Sequence, residues 1–302
     1  MINYVILLIG VFCFTLQFAF TKLYERLVKQ TIFTALIMLI VSNLTGALLF
    51  FIIGGFKVEF SLISTIFAII NALVMVPYYV VGIKVLSLGS LAIYSMFMML
   101  GGMLVPFFYG IIFLSEELSV GKLLGTILLT VFIVLQGIKQ DDKDSQKANG
   151  KSKRTFFILC LIIFVLNGLT GVVSKAHQIS SGIVDEVSFT VLSCLLTALL
   201  SACLIPACIK KEKENAVSFV KSILKIKPFC VMVFMGISAY MGNFLHLIVA
   251  SHIPASVQFP LVSGGVIVFS AIASVTFFKE KAGKFEWISV GGAFISTLLF
   301  AF

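Results

Sequence analysis

Apolar residues in this chain run in long blocks. They show neither the alternation of a half-buried strand nor the three-to-four spacing of a surface helix. Ten blocks stand out, at 2–20, 31–54, 60–86, 91–114, 120–138, 156–175, 184–209, 229–252, 255–278 and 285–302. A helix that crosses a bilayer needs about 20 mostly apolar residues. Hydrocarbon offers backbone N–H and C=O no partner, so each crossing segment must close its own hydrogen bonds as a helix. The pattern predicts an all-α integral membrane protein with ten transmembrane helices. Block 2–20 has no Lys or Arg before it and no small-residue cleavage site after it, so it reads as a retained spanning helix.

The polar residues collect between the blocks. The longest polar stretches are 139–154 and 210–227, and the first, rich in Asp, Lys, Gln and Asn, divides the chain. It separates a five-helix unit at 1–138 from another at 155–302, with 139–154 as a polar cytoplasmic linker. Composition agrees with this reading: 60% of the 302 residues are hydrophobic and 12% are charged, against about 45–50% and about 25% in soluble domains. So little charge cannot cover a soluble surface. A net charge of +9 on a soluble face would suggest nucleic acid, but here the basic residues sit in loops between apolar blocks. No nucleic-acid partner is expected. With ten spans, 19 Lys and Arg fall in alternate loops on one side and three (Lys57, Lys122 and Lys175) on the other. The positive-inside rule then places both termini outside a cytoplasmic membrane.

The two halves echo each other. Phe113-Leu114-Ser115-Glu116 matches Phe277-Phe278-Lys279-Glu280 at an offset of 164 residues. The same offset pairs Gly101 with Gly265, Tyr94 with Gln258, Tyr79 with Asn243 and Ser90 with Pro254, while Thr21-Lys22 matches Ser174-Lys175 at 153. A unit with an odd number of spans must place its second copy upside down, so the expected architecture is two inverted five-helix repeats. The acidic residue after an apolar helix, and the small-residue starts Ser90-Leu91-Ala92 and Pro254-Ala255-Ser256, resemble the two repeats of the drug/metabolite transporter superfamily. The resemblance is to its ten-helix EamA-type members and covers essentially the whole chain, although Ser115 and Lys279 stand where members usually have Gly. It implies a central cavity lined by both repeats, the fifth and tenth helices at the periphery, and transport of a small metabolite.

Polar side chains at membrane depth ask for a reason. Asn43, Asn71 and Asn167 fall near the middle of their blocks. Gln17, Tyr79 and Tyr94 lie toward one side, and Asn243, His246 and Gln258 toward the other. Each either hydrogen-bonds a neighbouring helix, at about 0.6–2 kcal/mol per contact, or lines a substrate cavity. These nine residues are the candidate cavity set. All 13 carboxylates lie in loops or at block ends, so a permanent cation would meet no counter-charge, and the expected substrate is neutral or zwitterionic. His246 is the candidate proton site. Glu116 and Glu280 are expected to be structural, each accepting hydrogen bonds from free N–H groups of the next helix. Gly101-Gly102 and Gly264-Gly265 mark where a helix or a ligand reaches the backbone.

Several chemistries lack their motifs. No GxxxxGK[S/T] or HExxH occurs, and the six cysteines form no CxxC and have no His at metal spacing. No catalytic residue, metal or cofactor is expected, and the chain is not expected to be an enzyme. The leading expectation is a secondary transporter of a small neutral or zwitterionic metabolite, acting by alternating access through a central cavity. The alternatives are a lipid flippase or scramblase and a non-transporting membrane receptor. The expected partners are the small-molecule metabolite and the lipid bilayer, with a monomer or a homodimer joined through packing such as that of Gly121 and Gly125. For proton-coupled transport, His246→Ala should change the pH dependence of uptake. An unchanged profile at normal expression would remove His246 from the mechanism.

Overall fold

A computed structural model describes residues 2–28, 31–88, 91–144, 150–211, 225–276 and 284–301. Among these residues there are ten α-helices and no strand. They are α1 (Ile2–Leu27), α2 (Ile32–Ile53), α3 (Leu62–Leu88), α4 (Leu91–Phe113), α5 (Val120–Asp144), α6 (Gly150–Ile179), α7 (Glu186–Lys211), α8 (Ile226–Ala250), α9 (Ala255–Thr276) and α10 (Lys284–Leu298), the last followed by a short 3₁₀ turn. Eight of them, α1–α4 and α6–α9, are long and apolar enough to cross a membrane. The other two are less complete spans: α5 offers the shorter apolar stretch Val120–Leu135 and α10 has 15 residues.

The helices overrun the apolar blocks at the linker. α5 continues through Asp144 and α6 begins at Gly150, so much of the expected linker 139–154 is helical. Lys, Gln and Asp continue a helix as readily in water as apolar residues do in lipid, and hydropathy marks only the portion inside the membrane. Local chemistry sets the other ends. Thr31 starts α2 with a capping box, its side chain accepting from Thr34 N–H at 3.2 Å while the Thr34 hydroxyl accepts from Thr31 N–H at 2.8 Å. After α2 the chain turns through Gly55 and Phe56, both at φ 63°, a region that suits glycine and strains Phe56.

Polar and apolar groups are arranged inside out. Leu48, Leu73, Ile112 and Leu199 are each more than half exposed on outer faces, where lipid tails solvate them. Hydroxyls within the bundle close on their own helix, as when Thr15 donates to Val11 C=O at 3.0 Å and Ser201 to Thr197 C=O at 2.7 Å. Beyond the apolar window of α1, Tyr24 is fully buried and donates to Thr34 C=O at 3.4 Å. Its burial holds the phenol above the usual tyrosine range.

The most extensive packing crosses the chain midpoint. α1 lies against α8 and α9, α6 against α3 and α4, and α2 and α7 against each other. α2 also meets α8, and α3 meets α7. α5 and α10 pack chiefly on each other and on α4 and α9, away from the α2–α7 centre. Glycines permit the closest approaches. A Cβ on Gly101 would run into the Phe164 backbone of α6, and one on Gly265 would lie 2.9 Å from the Val11 side chain of α1. Gly101→Ala should therefore force α4 and α6 apart, costing about 1–3 kcal/mol by overpacking. Gly291→Ala, which would meet nothing within 4 Å, should be neutral. Melting temperatures in detergent test the pair, and equal values would overturn the close-packing account.

Candidate functional site

A cavity of about 290 Å³ opens where the eight long helices converge. Of the nine polar residues singled out in the sequence, Gln17, Asn43, Asn71, Tyr79, Asn167, Asn243 and His246 line it. Tyr94 and Gln258 do not, because each braces a wall from behind. Tyr94 packs into the apolar cluster around Tyr78 and lies close over Gly82 of α3. Gln258 is fully buried and donates from Nε2 to His246 C=O of α8 at 2.7 Å. Glu280 lies outside the described residues. Among the described residues, no Asp, Glu, Lys or Arg lines the cavity.

The asparagines differ in what they do. Asn43 donates to Leu39 C=O at 2.8 Å, and its Oδ1 accepts from the Tyr240 hydroxyl, which ties α2 to α8. The Tyr240 ring sits so close over Gly46 that a Cβ there would strike it. Asn167 donates to Met98 C=O at 2.6 Å, tying α6 to α4. Asn243 donates to Ala239 C=O of its own helix at 2.8 Å and leaves the rest of its amide exposed to the cavity. His246, 9% exposed, is held edge-on between the rings of Phe14 at 6.3 Å and Phe259 at 4.9 Å. Its Nε2 has no hydrogen-bond partner, and the same is true of the buried hydroxyls of Ser42 and Ser193, which also line the cavity.

One end of the bundle holds charges that the apolar pattern placed in loops. Lys175, counted above as a loop residue, is buried within α6, which continues to Ile179. Its Nζ donates to Ala250 C=O and, at 2.8 Å, to Ile253 C=O, at the end of α8. Glu116 does not cap the helix that follows it. Its two carboxylate oxygens accept from Ala255 N–H at 2.7 Å and Ser256 N–H at 2.8 Å, at the start of α9 in the other half of the chain. Proximity in sequence suggested α5, but the packing of α4 on α9 brings a different set of free N–H groups within reach. Gly110 makes room for the carboxylate, since a Cβ there would lie 2.6 Å from Oε2. The α8–α9 turn is thus held by a cation on the carbonyl end of one helix and an anion on the N–H end of the next, both matched to the helix dipoles.

His177 is a second buried histidine, stacked on Phe189 with ring centroids 3.6 Å apart. Ser64 Oγ accepts from Val184 N–H at 2.9 Å and lies 2.9 Å from His177 Nε2, while the Gln178 amide nitrogen lies 3.1 Å from His177 Nδ1. Phe189 lines the cavity and His177 backs it. Among the described residues, no three His, Cys, Asp or Glu side chains come together as a metal site. Lys175 and His177 lay hidden because block 156–175 ends where the polar residues begin, although the helix does not.

No family model matches the chain, and no curated protein matches it. A solved crystal structure of a protein is similar over 99% of this chain and 96% of that one, with a TM-score of 0.73 at 14% identity. Similarity at that identity shows a shared fold. With eight long apolar helices and a lipid-suited exterior, the chain has the make-up of a multi-pass α-helical membrane protein.

The two-sided grip on the α8–α9 turn makes a stability prediction. Glu116→Ala and Lys175→Met should each lose about 1.5–3 kcal/mol, the range for hydrogen bonds to charged groups. The double variant should lose less than their sum, since both side chains hold one turn. Thermal unfolding of the four proteins checks this, and strict additivity would show that the two residues act apart.

Proposed function

We propose that the chain is a secondary transporter of the EamA type, carrying a small neutral or zwitterionic metabolite by alternating access. The observation that carries this reading is the cavity itself. It is enclosed by helices from both halves of the chain, and among the described residues its lining is polar but bears no formal charge. In this proposal the chain makes and breaks no covalent bond, and its partners are the metabolite and the bilayer.

The ten helices are read as two inverted repeats, and the contacts support that reading. Exchanging each helix with the one five later maps the most extensive packed pairs onto one another: α1–α8 becomes α6–α3, α4–α6 becomes α9–α1, and α2–α7 maps onto itself. Individual contacts follow the sequence offsets. Gly101 against Phe164 corresponds to Gly265 against Val11, with the offset of 164 for the glycines and 153 for their partners. Tyr94 over Gly82 corresponds to Gln258 on His246, both residues shifted by 164. Such symmetry is what a transporter that exposes one site alternately to two faces requires.

The loop charges orient the proposed transporter with its α8–α9 turn outward. Lys175 and Glu116 then hold the outer end closed by gripping that turn. Lys22 and Glu280 stand at the matching sequence positions for the inner end. The Lys22 side chain, like Glu280, lies outside the described set.

Flux into proteoliposomes tests the function. The chain should carry at least one neutral or zwitterionic metabolite from a broad panel. Gly102→Val should abolish that flux at normal expression, because Gly102 lines the cavity and even a Cβ there would lie 2.7 Å from Asn167 Nδ2. Flat traces across the panel, with or without lipid scrambling, would overturn the proposal.

A further inference from the structure

We infer that the cavity takes an uncharged, flat molecule: an aromatic or heteroaromatic ring bearing a neutral group that both donates and accepts hydrogen bonds, as a carboxamide or cyclic amide does. This narrows the proposed function, and it rests on reading the cavity as the substrate site.

The first ground is charge. Among the described residues, no carboxylate, ammonium or guanidinium group lines the cavity. The nearest cation in sequence, Lys175, follows the lining residue Ser174, but its ammonium is committed to the carbonyls of Ala250 and Ile253. An ion brought into such a site leaves water without gaining a counter-charge, which is costly in a low-dielectric interior. A zwitterion incurs that cost twice. The binding group is therefore polar but uncharged.

The second ground is three hydrogen-bonding atoms with nothing to bond. Ser42 on α2, Ser193 on α7 and His246 on α8 line the cavity from three helices, and their Oγ, Oγ and Nε2 atoms have no partner; Ser256 Oγ and Gln258 Oε1, also unpaired, belong to residues off the lining. The three lining residues are 6%, 8% and 9% exposed, so water scarcely reaches them. Buried polar groups are normally paired, and leaving one unpaired costs more than a typical bond gains. A hydroxyl can donate or accept, and Nε2 does either according to tautomer. A ligand matching all three must present both a donor and an acceptor. A carboxylate lacks the donor and an ammonium lacks the acceptor, whereas a neutral amide has both on one edge.

The third ground is the shape and softness of the remaining wall. Five of the ten methionines, Met38, Met75, Met98, Met99 and Met235, line this one cavity. By helix register they lie at or beyond mid-helix from His246, toward the end of the bundle opposite the α8–α9 turn. Thioethers pack favourably on aromatic rings and adapt to their outline. A sugar, with hydroxyls on every side, would strip water from those groups against sulfur and carbon. A volume of about 290 Å³ stands at the lower edge of the about 300–1,000 Å³ usual for ligand sites. It suits one or two fused rings better than a nucleotide.

A shape-matched series tests the inference: quinoline carboxamide, the corresponding carboxylate and the corresponding amidinium, titrated into the purified full chain near neutral pH. Binding is read by calorimetry and by the shifts of ¹³C-labelled methionine methyls. The carboxamide should bind saturably and move the cavity methionine signals, with the two ions at least about tenfold weaker. Ser193→Ala should weaken the carboxamide by about three- to tenfold at an unchanged melting temperature. Either ion binding as tightly as the amide would overturn the inference, as would amide affinity unaffected by Ser193→Ala. Selective amide binding without flux would uphold the ligand class and sink the transporter reading. Flux of a zwitterionic metabolite with no amide binding would do the reverse.

Discussion

Every polar group inside this bundle answers to one constraint: hydrocarbon does not hydrogen-bond. The backbone meets it by being helical throughout the apolar blocks. Thr15 and Ser201 meet it by donating back along their own helices. Asn43 and Asn167 meet it by spanning to a neighbour, which fixes α2 on α8 and α6 on α4. The buried charges meet it with helix termini, where Lys175 takes free carbonyls and Glu116 takes free N–H groups. Against that background the unpaired atoms among the described residues are few, and three of the five, on Ser42, Ser193 and His246, belong to residues of the cavity wall.

The architecture was legible in the sequence because membrane depth imposes length. The ten blocks and the ten helices agree to within a few residues inside the apolar regions. They part where polar residues continue a helix past the membrane edge, as at 139–154 and beyond Lys175. Hydropathy has no term for a helix that stays helical in water, and none for a lysine whose stem is sheltered and whose head finds carbonyls. The spacing of Gly101 and Gly265 was a sound guide to close contact, because only an absent side chain allows one backbone to approach another.

The site was legible only in part. Depth in a block identified Gln17, Asn43, Asn71, Tyr79, Asn167, Asn243 and His246, which the structure brings to one cavity. Depth alone could not separate them from Tyr94 and Gln258, which sit at similar heights but turn toward neighbouring helices. Facing direction depends on helix rotation, which near-continuous apolar runs do not encode. Serine was passed over for a related reason. Ser42 and Ser193 are small and common in spanning helices, where most hydroxyls close on the preceding turn, and nothing in their spacing marks them as ones that do not. Half of the methionines meeting at one cavity was equally invisible, since each alone is an ordinary apolar residue.

The contacts of Gly101 with the Phe164 backbone and of Gly265 with Val11 bear on how such a bundle can move. Interlocked side chains act like gear teeth, and sliding one helix past another requires each tooth to be withdrawn. Where a helix rests on its neighbour through bare main chain, a few degrees of tilt disengages almost nothing. At Gly101 and Gly265 neither α4 nor α9 carries a tooth, so in the proposed transporter tilting at these contacts has none to withdraw from those two positions.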